Sequence, residues 1–332
     1  MLYVPIMKCK QGEKDALYML RDEIKDQIVP LIEVTPDVIS KNNFSGANDF
    51  WESRPFIFDV SPEYYEELTD EEYFTLLSKC DRQLVTPVVK IADSEEKLSR
   101  IGSESVNGAA LRLYLEEILD DEFEVTYQEF TKKVDVTQID LIIDVQQVEA
   151  TKINETSFLI KGAVDLINNI NDFRNVIFTS NSFPKSLDVE RYELTTLPRL
   201  ESKVFEKIKP HFAAKEISVV YSDYTINHWT YFEFILGIQP SFNIRYTTDN
   251  HYVIYKGDTN KKGGLKIAKV KEACEKLISS PYYFDKDYSW GDLQIHEKAK
   301  SITDKSGNLT TWRAIGANHH ITFIVNLLSN QS

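Results

Sequence analysis

The chain has 332 residues, 42% hydrophobic and 27% charged, a globular make-up long enough for one large domain or two. Its formal net charge of −14 excludes a protein that coats duplex nucleic acid non-specifically, although a basic cleft can persist in an acidic protein. Three widely spaced cysteines form no metal or disulfide framework, and no apolar run nears the roughly 20 residues of a membrane span.

Short apolar runs at 2–7, 28–32, 55–58, 84–89, 109–111, 139–143, 175–179 and 217–221 predict eight strands. The first follows no basic segment, so it reads as a strand and not as a signal peptide. Amphipathic segments fill the gaps: a helix over about 13–25, a polar loop over 35–54, and helical sequence over 61–80 with Thr69 and Glu72 as a capping box. Ser94 caps a short helix that Gly102 ends, and further helices are expected over 122–134, 158–171 and 201–212. Beyond Asp223 the rhythm changes to a hairpin over 242–257 with Asp249-Asn250 at its turn, then a helix over 264–279. A Trp290-Gly291-Asp292 turn opens another helix to about 302, and the last lies near 319–328. Gly263-Gly264 after Lys261-Lys262 is a flexible turn and not a P-loop. Eight alternations of strand and helix read as a (β/α)8 TIM-barrel-like fold over residues 1–230, with an appended α+β block over 231–332.

In such a barrel the strands' carboxyl ends share one rim. The runs close on Lys8 with Lys10, Glu33, Asp59, Lys90, Arg112, Asp144, Ser180 with Ser182, and Asp223. Ions at strand ends are costly to desolvate unless paired or functional, so these form either a ring of ion pairs or a site. As a site, Lys8, Lys10, Lys90 and Arg112 would clamp a phosphate or carboxylate. Glu33, Asp59, Asp144 and Asp223 would act as general acids and bases or hold a hard cation such as Mg²⁺. On that reading Arg112→Ala loses the ligand with little change in melting temperature, and unfolding of the variant points instead to ion pairing. A second chemistry makes a desolvated Lys90 a Schiff-base nucleophile; the first is preferred because the arginine suits an anion. His211, His228 and His251 read as solvated, and Cys9 as a buried thiol. His319 and His320 point about 100° apart on a helix, so one is expected packed and one exposed. Tryptophans pinning the C-terminal loops to the barrel would let Asp292 and His320 reach the mouth, with Ser182, Arg245 and Arg313 as further ligand contacts.

The ordered motifs resemble the phage beta protein family. The resemblance rests on Tyr3-Val4-Pro5-Ile6 with Lys8, Lys10, Gly12 and Glu13, then Pro30-Leu31-Ile32-Glu33, Asp59, Arg112, Asp144, Ser182-Phe183-Pro184, Pro198-Arg199 and Asp223-Tyr224. It continues through Arg245-Tyr246-Thr247, Trp290-Gly291-Asp292 with Ile295, Trp312-Arg313 and Asn318-His319-His320, and departs at Tyr252, where relatives often carry tryptophan. The resemblance implies a mobile-element or antiphage-defence setting and a nucleotide or nucleic-acid ligand, without assigning a reaction. The expected function is therefore a cytoplasmic phage- or defence-associated protein whose mouth binds a phosphate-bearing anion, a nucleic-acid end included, with phosphoester hydrolysis as the first enzymatic reading. The alternative is a non-enzymatic recognition module working with partner proteins of a phage or defence operon. That alternative predicts an exposed apolar patch and rim charges that neutralise one another without an open cavity.

Overall fold

The computed structural model describes residues 1–231, 240–259 and 265–331. Apolar runs buried on both faces suit parallel strands sandwiched between side chains and a helical layer. Seven of them, β1 (Tyr3–Lys8), β2 (Leu31–Val34), β3 (Phe56–Val60), β4 (Val85–Val89), β5 (Ala109–Tyr114), β6 (Ile139–Gln147) and β7 (Asn175–Asn181), follow one another around a barrel. After β8 (Leu194–Pro198), which joins another sheet, β9 (Val219–Asp223) pairs with both β7 and β1 and closes the ring. All eight expected barrel strands are present, most of them ending later than expected because the polar closing residue belongs to the strand.

The period-2 pleat sorts every strand into two sets. Val4, Ile6, Leu31, Ile57, Val88, Ala110, Ile142 and Ile177 form a separate apolar cluster inside the barrel. The outward set, including Met7, Ile32, Phe58, Val89, Leu111, Ile143 and Phe178, packs under the helices. Two residues beyond the inward set, toward the carboxyl ends, lie Lys8, Glu33, Asp59, Lys90, Arg112, Asp144 and Thr179. The strands' in-register pairing, Lys8 opposite Glu33 and Glu33 opposite Asp59, brings them to one level.

The helical layer differs from expectation in detail. The first helix is two, Gln11–Tyr18 and Asp22–Lys25, and the segment expected over 158–171 forms Ile153–Leu166. Ser94 caps Glu95–Glu104 through the Lys97 N–H, but Gly102 lies within that helix, its Cα facing open space where a glycine costs little packing. The Thr69–Glu72 capping box is formed as expected.

A second sheet has the order β10 (Ser241–Thr247), β11 (His251–Thr259), β8, all antiparallel. The expected hairpin is thus joined by a strand from within residues 1–230, which ties the appended block to the barrel through the chain itself. The helix expected over 264–279 is Ile267–Ile278; Gly264 and the Lys261–Gly264 turn lie outside the described residues. Trp290–Ala299 follows its Ser289 cap, and the last helix, Leu309–Ser329, is much longer than expected, with Asn308 capping it. That helix packs on β10, Trp290–Ala299 and Gln11–Tyr18. Two glycines allow the approach: a Cβ on Gly291 would lie 2.3 Å from the Ile315 carbonyl, and one on Gly12 2.8 Å from the Thr310 carbonyl. Among the described residues no helix is long and apolar enough to cross a membrane.

Candidate functional site

On the barrel axis the inward charges converge on one fully buried guanidinium. Arg112 Nε and Nη2 donate to Asp144 Oδ2 at 3.0 and 2.7 Å, and Nη1 donates to Glu33 Oε1 at 2.9 Å and Asp59 Oδ2 at 2.6 Å. Nη2 also donates to the Tyr224 hydroxyl at 2.6 Å, which passes its own hydrogen to Asp144 at 2.5 Å. All five guanidinium N–H groups are thereby used. The remaining carboxylate oxygens are satisfied too, by Lys8 Nζ on Glu33 (2.9 Å), the Val60 N–H on Asp59 (2.8 Å) and the Gln146 N–H on Asp144 (2.8 Å). That last bond holds Gln146 in the left-handed region, φ 57°, at the bulge where β6 leaves the ladder. Lys90 lies 3.9 Å from Asp59 and between the rings of Tyr65 and Tyr114, and burial draws its pKa down while Asp59 opposes. The arrangement is a neutralised network of three cations and three anions. Its oxygens point at Arg112, which does not fit a Mg²⁺ site, and among the described residues no group of three or more His, Cys, Asp or Glu could hold a metal ion.

Asp223, His320 and Asp292 are elsewhere. Asp223 pairs with Ser180 and Pro5 on the outward set of the pleat, so it faces the C-terminal helix and not the mouth. There it accepts from Tyr3 (2.5 Å), Tyr221 (3.1 Å) and the Thr225 N–H (2.9 Å) and meets His320 Nε2 at 3.1 Å. Asp292 accepts from Ser289 (2.5 Å) and Tyr246 (2.7 Å) and meets His319 Nδ1 at 2.8 Å. His319 Nε2 lies 2.8 Å from the Thr247 carbonyl, so both its ring nitrogens face oxygens of other elements. Both histidines are buried, not one. Ser182 is also structural: its hydroxyl bonds Glu201 and accepts from the Leu200 N–H at the start of helix Leu200–Ala214.

Burial works against the ionised forms of Glu33, Asp223 and Asp292. Lys8 and Arg112, His320 and His319 respectively outweigh it and hold the three carboxyls below their ordinary range. A depressed native value adds stability above the unfolded pKa, about 4, that disappears as pH falls through the native one. Acid titration followed by circular dichroism should therefore show a flat plateau above about pH 5 and cooperative unfolding below about pH 4.

The open space lies beside the axis. A cavity of about 550 Å³ is lined by loops leaving three barrel strands, through Lys8 and Lys10 after β1, Pro184 and Lys185 after β7, and Asn227, His228 and Thr230 after β9. The appended block supplies the opposite wall with Pro240, Arg245, Leu309, Thr310 and Arg313. Four expected ligand residues, Lys8, Lys10, Arg245 and Arg313, thus meet here, while Arg112 and Lys90 do not contribute to its wall.

Arg245 and Arg313 are half-buried and share the Ile226 carbonyl, at 2.6 and 3.5 Å. Arg245 also donates to Asn243 Oδ1 at 2.9 Å and covers the Phe183 ring, and Arg313 donates to Asn227 Oδ1. Among the described residues neither forms a salt bridge. Burial lowers the pKa of both, and for Arg245 the neighbouring Arg313 lowers it further. Burial also depresses Lys10, and His228 is pushed down to about 4 by burial and then by Lys185 and Lys8. Glu13 is the one carboxyl in the described wall. Burial lifts its pKa, and Arg313, Lys8 and Lys10 pull against that. Outside that wall, at the carboxyl end of β7, Thr179 Oγ1 and Asn181 Oδ1 are buried with no hydrogen-bond partner among the described residues.

Reasoning from strand ends missed Lys185, Glu13, Asn227, His228 and Tyr224. Tyr224 was within reach, because strict alternation along β9 puts it, and not Asp223, on the inward set. Cys9, pushed up to about 11 by burial, is the inert thiol expected, and all three cysteines are buried and unbridged.

A closed ring of eight parallel strands with its polar groups at their carboxyl ends defines a TIM-barrel protein. The chain belongs to the Beta protein family, whose model matches residues 3–326. Among solved structures it is similar to triosephosphate isomerase from Bartonella henselae, with a TM-score of 0.35 and 10% identity over 67% of this chain and 92% of that one. No curated protein matches the sequence.

Proposed function

We propose that this protein is a cytoplasmic recognition module that binds a phosphate-bearing anion in the cavity between the barrel rim and the appended block. The observation carrying this reading is the Arg245–Arg313 pair. Two half-buried guanidinium groups side by side, with no carboxylate at salt-bridge distance among the described residues, are unfavourable in an empty protein and favourable around an oxyanion. Lys10, Lys185 and Lys8 add to the same potential. A cavity of this size accommodates a small polar ligand or a nucleic-acid end. The phage or defence setting comes from the family resemblance, and unbridged cysteines suit a reducing compartment.

Recognition is favoured over hydrolysis because Glu33, Asp59 and Asp144 spend their oxygens on Arg112, Lys8 and the backbone. The same saturation argues against a Schiff base on Lys90, whose ammonium is held by Asp59 and two rings. Thermal unfolding in inorganic phosphate tests the proposal, with chloride matched for ionic strength. Phosphate should raise the melting temperature by mass action, about 2.7 kcal/mol of added stability at about 100 times its Kd. A melting temperature that follows ionic strength alone would remove the proposal.

A further inference from the structure

Within this cavity, one side chain has the wrong charge for an anion. Glu13 is almost fully buried, yet it faces the space that Arg245, Arg313 and Lys10 line. Its orientation is fixed. Asn227 Nδ2 donates to Glu13 Oε1 at 2.6 Å, while the same amide's Oδ1 accepts from Arg313 and its backbone carbonyl accepts from Asn181 Nδ2 at 2.6 Å. The amide therefore cannot turn over without losing both side-chain bonds. Gly12, next to it, lets the Leu309–Ser329 helix approach closely, since a Cβ there would lie 2.8 Å from the Thr310 carbonyl and 3.0 Å from Arg313 Cβ.

A carboxylate aimed at a bound oxyanion sets lone pair against lone pair unless a hydrogen lies between them. Sulfate at neutral pH has no such hydrogen, nor has an internal phosphodiester. A terminal phosphate can retain one, because its second proton titrates near pH 6, within reach of neutral pH. We propose that Glu13 makes the cavity selective for a phosphate oxygen that can carry a proton, so that the ligand is a terminal phosphate, free or as a monoester. This rests on the anion-binding reading above. One hydrogen is shared between the Glu13 carboxyl and the phosphate, and the surrounding cations balance the remaining charge.

Calorimetric titration at about pH 6 with inorganic phosphate, methyl phosphate, dimethyl phosphate and sulfate tests this on the wild-type chain. Phosphate and methyl phosphate should bind at least about tenfold tighter than sulfate and dimethyl phosphate. Whichever of the first two binds better identifies the free ion or the monoester, and either supports the proposal. In Glu13→Gln the amide can donate to any oxyanion, so sulfate should come within about threefold of phosphate. Equal binding of sulfate and phosphate by the wild type would overturn the role of Glu13 and leave the anion cavity standing. Binding of none of the four would overturn both.

Discussion

Arg112→Ala should destabilise the fold by about 3–5 kcal/mol or more, a large share of the roughly 5–15 kcal/mol that holds a domain together. The guanidinium is fully buried and donates to three carboxylates and a tyrosine hydroxyl. Its removal leaves Glu33, Asp59 and Asp144 inside the barrel with only Lys8 and Lys90 to balance them, and Lys90 is 3.9 Å away. Coulomb repulsion among desolvated carboxylates then replaces attraction. Arg112→Lys keeps the charge but offers a point in place of a planar fork, so it should fall between alanine and wild type. Tyr224→Phe removes one hydroxyl from the same network and should cost about 1 kcal/mol. Urea unfolding of the three variants measures the series. The strand-end reading expected the opposite, a stable alanine variant without ligand. A melting temperature within a few degrees of wild type would restore that reading and end the structural one.

The barrel was legible because its signal is repeated. Each β-branched or aromatic run is short, bounded by turn residues and followed by an amphipathic helix, and eight repetitions outweigh errors in any one. What the runs do not carry is parity. The reading took the last polar residue of every run as a rim group, which holds for Glu33, Asp59, Arg112 and Asp144. At β9 the chain turns sharply after Asp223, with Thr225 held at φ 57° by the Asp223 carboxylate. The polar residue there points outward, and the tyrosine after it reaches the axis. A one-residue difference moves a side chain to the other face of the sheet.

The appended block shows a different limit. β8 is five residues ending in proline, with two threonines as its β-former signal, and it becomes a strand because β11 offers it an edge. His319 and His320 are both buried because Asp292 and Asp223 lie on different elements on two sides of one helix, a fact no local pattern contains. The cavity is harder still. Its wall draws on loops after β1, β7 and β9 and on the first turn of the last helix, and none of these is unusual alone. Lys8, Lys10, Arg245 and Arg313 carry the expected ligand contacts; Glu13 stands three residues after Lys10 in the first turn of Gln11–Tyr18, but no spacing relates it to Arg245 or Arg313.

Arg245→Gln should weaken phosphate binding about 10- to 100-fold, the equivalent of losing one charge-assisted hydrogen bond of about 1.5–3 kcal/mol. Stability without the anion should change by no more than about 1 kcal/mol, because two effects oppose each other. The substitution frees the Ile226 carbonyl and Asn243 Oδ1 from their 2.6 and 2.9 Å bonds. It also removes a desolvated cation repelled by Arg313, whose Nη1 is 3.5 Å from the same Ile226 carbonyl and placed to take it. Arg245 is the better choice for this test, since Arg313 also fixes Asn227 and through it Glu13. Melting curves in chloride and in phosphate separate the two roles. A binding residue gives near-equal melting temperatures in chloride and a much smaller phosphate-induced rise in the variant. A residue that only braces the fold gives a variant that melts early in both salts, with the phosphate increment unchanged.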